Sequence, residues 1–320
     1  MNIFLALFFL SFAFIFLTIN AHSQQLRKVT FESNGQSIAG DLYLPDGYTR
    51  GGKLPAVIVT GSWTSVKEQM AGGYAREMAA RGYVALAFDF RGWGESNAGG
   101  ISFVEDPKAK TKDIIAAAEF LATVPEVDPN RIAGLGVCAS AGYMLDATQE
   151  SERLSSVAVV APWLHDAEIV DQVYGGEEGV STLIQASKEA EKTYRATGEQ
   201  TILPAASLTD PTAVMQAAPY YTETDRGLIA EYDNQFNIMT WEPWLTYDAI
   251  QTATTLHKPA LLIHSEEAAI PQGAKKYLSL AGENTRGIWL EGVSQFDFYD
   301  RPAPMQRAAD EVASHFASTL

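Results

Sequence analysis

Arg131-Ile-Ala-Gly-Leu-Gly-Val-Cys-Ala-Ser-Ala-Gly-Tyr143 decides how this chain is read. Ile132 to Val137 has the composition of a short buried strand, and Ala139 to Ala147 that of a helix beginning immediately after it. Gly136, Ala139, Ser140, Ala141 and Gly142 crowd the junction, and a sharp turn of this kind leaves little room for larger side chains near its backbone. Gly136-Val-Cys138-Ala-Ser140 is a variant of the nucleophile-elbow pattern G-x-S-x-G, with Cys in place of Ser and Ser140 in place of the second Gly. A cysteine at a helix N-terminus is expected to have its pKa depressed by the helix dipole and the free N–H groups. The alternative is a lone Cys acting as a small buried hydrophobe.

Elements repeat in a regular order on both sides of this corner. Leu54 to Thr60 is a continuous apolar run ending in Gly61-Ser62-Trp63, and Tyr74 to Arg81 reads as a helix closed by Gly82. Tyr83 to Phe88 is a second apolar run, and Lys110 to Val124 a second helix. Leu154 to Val160, Ala260 to His264 and Arg286 to Leu290 are further strands. Strands alternating with helices predict a mostly parallel α/β sheet with helices on both faces.

Four stretches in this order resemble the α/β-hydrolase superfamily, in its dienelactone-hydrolase-like group. They are Gly61-Ser-Trp-Thr-Ser-Val-Lys-Glu-Gln69, Phe88-Asp-Phe-Arg-Gly-Trp-Gly-Glu-Ser96, the Cys138 corner, and Gly292-Val-Ser-Gln-Phe-Asp-Phe-Tyr-Asp300. The resemblance runs from about Val29 to the C-terminus and implies an α/β-hydrolase fold, with a helical cap inserted around residues 167–255. It implies an ester, thioester or lactone as substrate and Cys138 as nucleophile. The oxyanion donors it implies are the N–H of Ala139 and one from Ser62 or Trp63.

Two positions depart from the family pattern. Gln295 stands where similar proteins carry the catalytic His. The turn His264-Ser-Glu-Glu-Ala-Ala269 offers Glu266 or Glu267 as the acid, but Ala268 occupies the usual Asp place. Gln cannot take and return a proton near neutral pH, so hydrolysis is expected to be limited at Gln295. Cysteine is the nucleophile least dependent on a base. Deacylation by water does depend on one, which leaves three outcomes open: slow acylation and stalling, transfer of the acyl group to a better nucleophile, or no hydrolysis. His165, at a strand end in Trp163-Leu-His-Asp166, is a candidate substitute base, and His264 a second one. His22, His257 and His315 are poorly placed. Lyase, cyclase or isomerase chemistry that keeps the oxyanion hole, or ligand binding without catalysis, are the alternative functions.

The 320 residues carry a net charge of −16 and are 47% hydrophobic. This is ample for one large core and disfavours nucleic acid and anionic membrane surfaces as partners. No P-loop, dinucleotide fingerprint or His/Cys cluster is present, so neither cofactor nor metal is expected. Trp241, Trp244, Tyr220 and Tyr221 are candidates for an apolar acyl pocket or for packing of the cap. Ile3 to Ile19 is uninterrupted by charge and is followed by Ala21-His22-Ser23, an A-x-S site before Gln24. Residues 1–23 are therefore expected to be a signal peptide, with 24–320 secreted or periplasmic, or membrane-anchored if the leader is uncleaved.

Overall fold

The computed structural model describes residues 25–48 and 51–320, so the leader expected over 1–23 lies outside the described residues. The strands are β1 (Gln25–Ser33), β2 (Gln36–Leu44), β3 (Leu54–Thr60), β4 (Val84–Phe88), β5 (Val127–Val137), β6 (Leu154–Val160), β7 (Ile202–Pro204), β8 (Gln235–Asn237), β9 (Ala260–His264) and β10 (Thr285–Trp289). The helices are α1 (Met70–Ala80), α2 (Pro107–Thr123), α3 (Ser140–Glu150), α4 (Ala167–Val173), α5 (Gly176–Thr197), α6 (Pro219–Thr222), α7 (Trp241–Leu245), α8 (Pro271–Leu280), α9 (Asp297–Asp300) and α10 (Pro302–Thr319).

Eight strands form one sheet in the order β1-β2-β4-β3-β5-β6-β9-β10. From β4 to β10 all neighbours are parallel, while β1 and β2 form an antiparallel hairpin laid antiparallel on β4. The hairpin turn is Asn34-Gly35, with φ of 48° and 76°, the left-handed pair that a two-residue hairpin turn requires. Every residue of β4 and β9 is buried, as central parallel strands covered on both faces must be. This is the α/β-hydrolase fold.

The carboxyl ends of the parallel strands meet at one rim, the usual place for a site in an open α/β sheet. Thr60 leads to Ser62 and Trp63, Val137 to Cys138, Val160 to Ala161, His264 to Ala269, and Trp289 to Gln295. The chain between β6 and β9 holds α4, α5, the small β7–β8 ribbon, α6 and α7. The long helix of this segment is α5, capped by Gly198 in the left-handed region. The stretch from Ala213 is mostly turn and loop, with only the single helical turn α6. Among the described residues no helix is long and apolar enough to cross a membrane.

Candidate active site

Cys138 is in the left-handed region at φ 59°, a strained conformation for a residue with a side chain and the mark of a sharp strand-to-helix corner. The corner is held from three sides. Cys138 N–H donates to Val160 O at 3.1 Å, and Cys138 O accepts from Trp163 N at 2.9 Å and Ala141 N at 3.1 Å. A Cβ on Gly136 would come within 2.8 Å of Ser140 O, so glycine is required for α3 to pack against β5 this closely. Ser140, where the pattern has its second Gly, is a tie. Its buried hydroxyl accepts from Thr60 Oγ1 at 2.9 Å and from Val137 N at 3.1 Å, joining β3 to the corner.

Four donors favour the ionised form of the Cys138 sulfur: the hydroxyls of Ser62 and Tyr299 and the backbone N–H groups of Ala139 and Trp63. Of the two candidates for a second oxyanion donor, the Ser62 N–H is turned to Met70 Sδ at 3.4 Å, which leaves the Trp63 N–H as the candidate. Burial pushes the Cys138 thiol above its ordinary pKa and outweighs the four donors, which act in the opposite direction. This corrects the expectation of a depressed pKa: the helix N-terminus contributes, but the site is too dry. Alkylation of Cys138 by iodoacetamide should therefore rise with pH through a midpoint above the free-thiol value of about 8.5. A midpoint below that value would show the N–H groups and hydroxyls winning over burial.

Gln295 is fully engaged. Its Nε2 donates to Ala161 O and to the Tyr299 hydroxyl, both at 3.0 Å, and its Oε1 accepts from Ala269 N at 3.0 Å. Because the Tyr299 oxygen accepts from Gln295, its own proton is free to point at Ser62 Oγ, 3.3 Å away, or at the Cys138 sulfur. Burial holds the Tyr299 phenol far above its ordinary pKa, so it remains a hydroxyl.

Neither candidate base lines the cavity over the sulfur. His165 Nδ1 accepts from Trp163 Nε1 at 3.0 Å, so Nε2 carries the proton and donates to Trp244 O at 3.0 Å. Burial lowers its pKa to about 4, and the ring serves as a neutral strut. His264 is buried, its pKa also lowered by desolvation, and it stacks on Trp289 at 5.3 Å. Both carboxylates of the turn face solvent. Glu266 pairs with Lys275 at 2.7 Å, Glu267 accepts from Ser265 Oγ at 2.5 Å, and buried Ala268 fills the place between turn and site.

A cavity of about 720 Å³ opens over Cys138. Its floor includes Ser62, Trp63, Ala139, Gln295 and Tyr299, and the segment between β6 and β9 supplies much of its wall, including Leu183, Met215, Tyr221, Trp241 and Trp244. Tyr220 lies outside it and packs edge-on against Tyr299 at 5.1 Å. No Asp, Glu, Lys, Arg or His is among the residues that line it. Trp63 also packs on Phe236, Trp241 and Trp244, at 5.0, 5.9 and 5.3 Å, so it is both packing and wall. Tyr299 and the Ser62 hydroxyl were not singled out from sequence. The tyrosine's spacing of four from Gln295, one helical turn, is the signal that would have found it. No group of described residues could hold a metal ion.

Residues 18–173 match the model of the FrsA-like esterase family. The uncharacterized protein PA2218 of Pseudomonas aeruginosa is 33% identical over 288 residues, 86% of this chain and 76% of that one. Its crystal structure superposes with a TM-score of 0.82 at 28% identity, covering 93% and 94% of the two chains. The uncharacterized protein YcjY of Escherichia coli K12 is 27% identical over 308 residues, 92% of this chain and 99% of that one. The polyketide transferase claH of Penicillium crustosum is 31% identical over 136 residues, 42% of this chain and 44% of that one. Sheet order, the strained corner at the end of β5 and these kinships lead to one conclusion: the chain belongs to the α/β-hydrolase superfamily.

Proposed function

We propose that Cys138 accepts an uncharged, apolar acyl group from a thioester and passes it to a thiol or amine more readily than to water. The carrying observation is the placement of the Cys138 sulfur at the floor of an uncharged cavity, facing the N–H groups of Trp63 and Ala139 and the hydroxyls of Tyr299 and Ser62, with no base in the lining.

The sulfur attacks the acyl carbon and a C–S bond forms. The carbonyl electron pair moves to oxygen, where the two N–H groups hold it. The thiol proton passes to a Tyr299 or Ser62 hydroxyl, which gives its own proton to the departing sulfur. The carbonyl re-forms, the old C–S bond breaks, and a free thiol leaves. A thioester suits this site because a thiol leaves at a far lower pKa than an alcohol, whereas an alkoxide would need a dedicated acid. Water attacking the acyl-enzyme must lose a proton to a base, and the cavity lining offers none. A thiol or amine acceptor brings its own nucleophilicity. A charged acyl group would have to lose its hydration against apolar walls, at a cost of several kcal/mol. The polyketide transferase among the relatives bears a name consistent with acyl transfer. Membership of the dienelactone-hydrolase-like group and export, argued from the resemblance and the leader, belong to this proposal; a mature N-terminus at Gln24 supports cleavage and export, and a Met1 retained in the membrane fraction contradicts cleavage and supports an anchor.

S-phenyl thiobutyrate should give a burst of about one equivalent of thiophenol per protein and then a slow phase, with no burst in Cys138→Ala. Binding of the thioester without a burst in wild type would remove acyl transfer and favour lyase, cyclase or isomerase use of the same oxyanion hole.

A further inference from the structure

The candidate oxyanion donor Trp63 sits on the loop after β3, next to Thr64, whose φ is 60°. A β-branched residue in the left-handed region persists only where its surroundings enforce it. Two buried groups hold it: Tyr232, whose hydroxyl pairs with Thr64 Oγ1 at 3.1 Å, and, at the backbone, Glu105, brought in from the chain just before α2. Its Oε1 accepts from Thr64 N at 2.7 Å, and its Oε2 accepts from Lys110 Nζ at 2.6 Å and from the Tyr143 hydroxyl at 3.4 Å. Lys110 is also buried, with its ammonium over the rings of Phe90 and Trp93 at 4.5 and 5.0 Å. The Glu105 N–H donates to Thr240 Oγ1 at 3.0 Å, one residue before the wall residue Trp241.

We infer that the buried Glu105–Lys110 pair is the positioning element of the oxyanion hole, acting through Thr64 to aim the Trp63 N–H at the reacting carbonyl oxygen. The chemistry of the pair explains its composition. Both Glu105 oxygens must accept, one from the loop and one from Lys110, and only a carboxylate has two acceptor oxygens. Glutamine beside Lys110 would turn its oxygen to the ammonium and present an NH₂ group to the Thr64 N–H, donor against donor. Lys110 in turn sets its ammonium against the second carboxylate oxygen at 2.6 Å, and removing either partner alone leaves the other without its counter-charge in a dry site. The pair touches neither substrate nor sulfur. The inference rests on the oxyanion hole of the acyl-transfer reading.

Two double variants separate aim from stability, because both remove the buried charges together. Glu105→Gln with Lys110→Met keeps one acceptor for Thr64 N. Glu105→Leu with Lys110→Met keeps none. The probe is 2,2,2-trifluoroacetophenone, to whose carbonyl the Cys138 thiol adds; the S–C bond forms and the oxygen takes up the charge or the thiol proton. Adduct affinity is read by ¹⁹F NMR, and 1-phenylethanol serves as a ground-state comparator. The glutamine double should form the adduct within about threefold of wild type, and the leucine double should lose on the order of 10²-fold, with 1-phenylethanol binding unchanged in both. Should the leucine double fail to fold, Glu105→Asp, which keeps the charge but draws the acceptor back from Thr64, is expected to show the same selective loss. Equal adduct affinity in both doubles, or in Glu105→Asp and wild type, overturns the inference. So does a wild type that forms no adduct. A wild type that forms the adduct but is not acylated by thioesters fails the acyl-transfer reading alone.

Discussion

Gln295→His combined with Ala268→Asp is expected to raise steady-state hydrolysis of p-nitrophenyl butyrate about 10²–10⁴-fold over wild type, the usual contribution of a positioned general base. Gln295→His alone should recover only a small part of that gain. The reason is the Ala269 N–H, which now donates to Gln295 Oε1 at 3.0 Å. Facing an imidazole, the same donor would hold the near nitrogen as an acceptor and leave the proton on the nitrogen that must receive one from Cys138. A carboxylate at 268 reverses this by accepting from the near nitrogen, as the third member of a triad does. Glu266 and Glu267 cannot substitute, because both are directed to solvent and partnered there. If the single variant already gives the full gain, the tautomer argument is wrong. If the double variant gives none, water is excluded from the acyl-enzyme by something other than the missing base.

Tyr299→Phe should slow the burst from S-phenyl thiobutyrate on the order of 10²-fold while leaving its amplitude and the half-saturating concentration nearly unchanged. The ring contacts survive the substitution: Tyr220 at 5.1 Å and Phe296 at 5.6 Å touch the ring rather than the oxygen. What is lost is the hydroxyl between the Cys138 sulfur, Ser62 Oγ and Gln295 Nε2. Because burial keeps that phenol protonated, its part is to hand a proton on, and the effect should persist across neutral pH. An unchanged burst rate in Tyr299→Phe would leave Ser62 as the sole relay.

The parallel half of the sheet was legible because buried strands such as Leu154 to Val160 are unbroken apolar runs between helical segments. Reading outward from Cys138 misses the β1–β2 hairpin, although Asn34-Gly35 announces it, because that hairpin lies far from the corner and its outer strand is largely exposed. The sharp corner at Cys138 and the glutamine at 295 were visible in single motifs. Which of the two candidate donors, Ser62 or Trp63, has its N–H free was not, since that depends on where the Ser62 N–H is spent. The direction of the Cys138 pKa was misjudged for a related reason: a sequence displays the helix start, but the dryness around the sulfur is made by residues from several distant segments. Glu105 was illegible altogether, because its partners Thr64, Lys110 and Tyr143 are brought together only by the fold.

The central claim is that Cys138 carries an acyl group that water removes slowly. Intact-mass and peptide-mapping spectrometry over time after mixing with S-phenyl thiobutyrate tests it most directly. The account predicts one butyryl group on the peptide containing Cys138, persisting after thiophenol release has slowed and discharged on addition of a thiol such as N-acetylcysteamine. Sustained thioester turnover with no adduct on Cys138, or an adduct that Cys138→Ala retains, would contradict it.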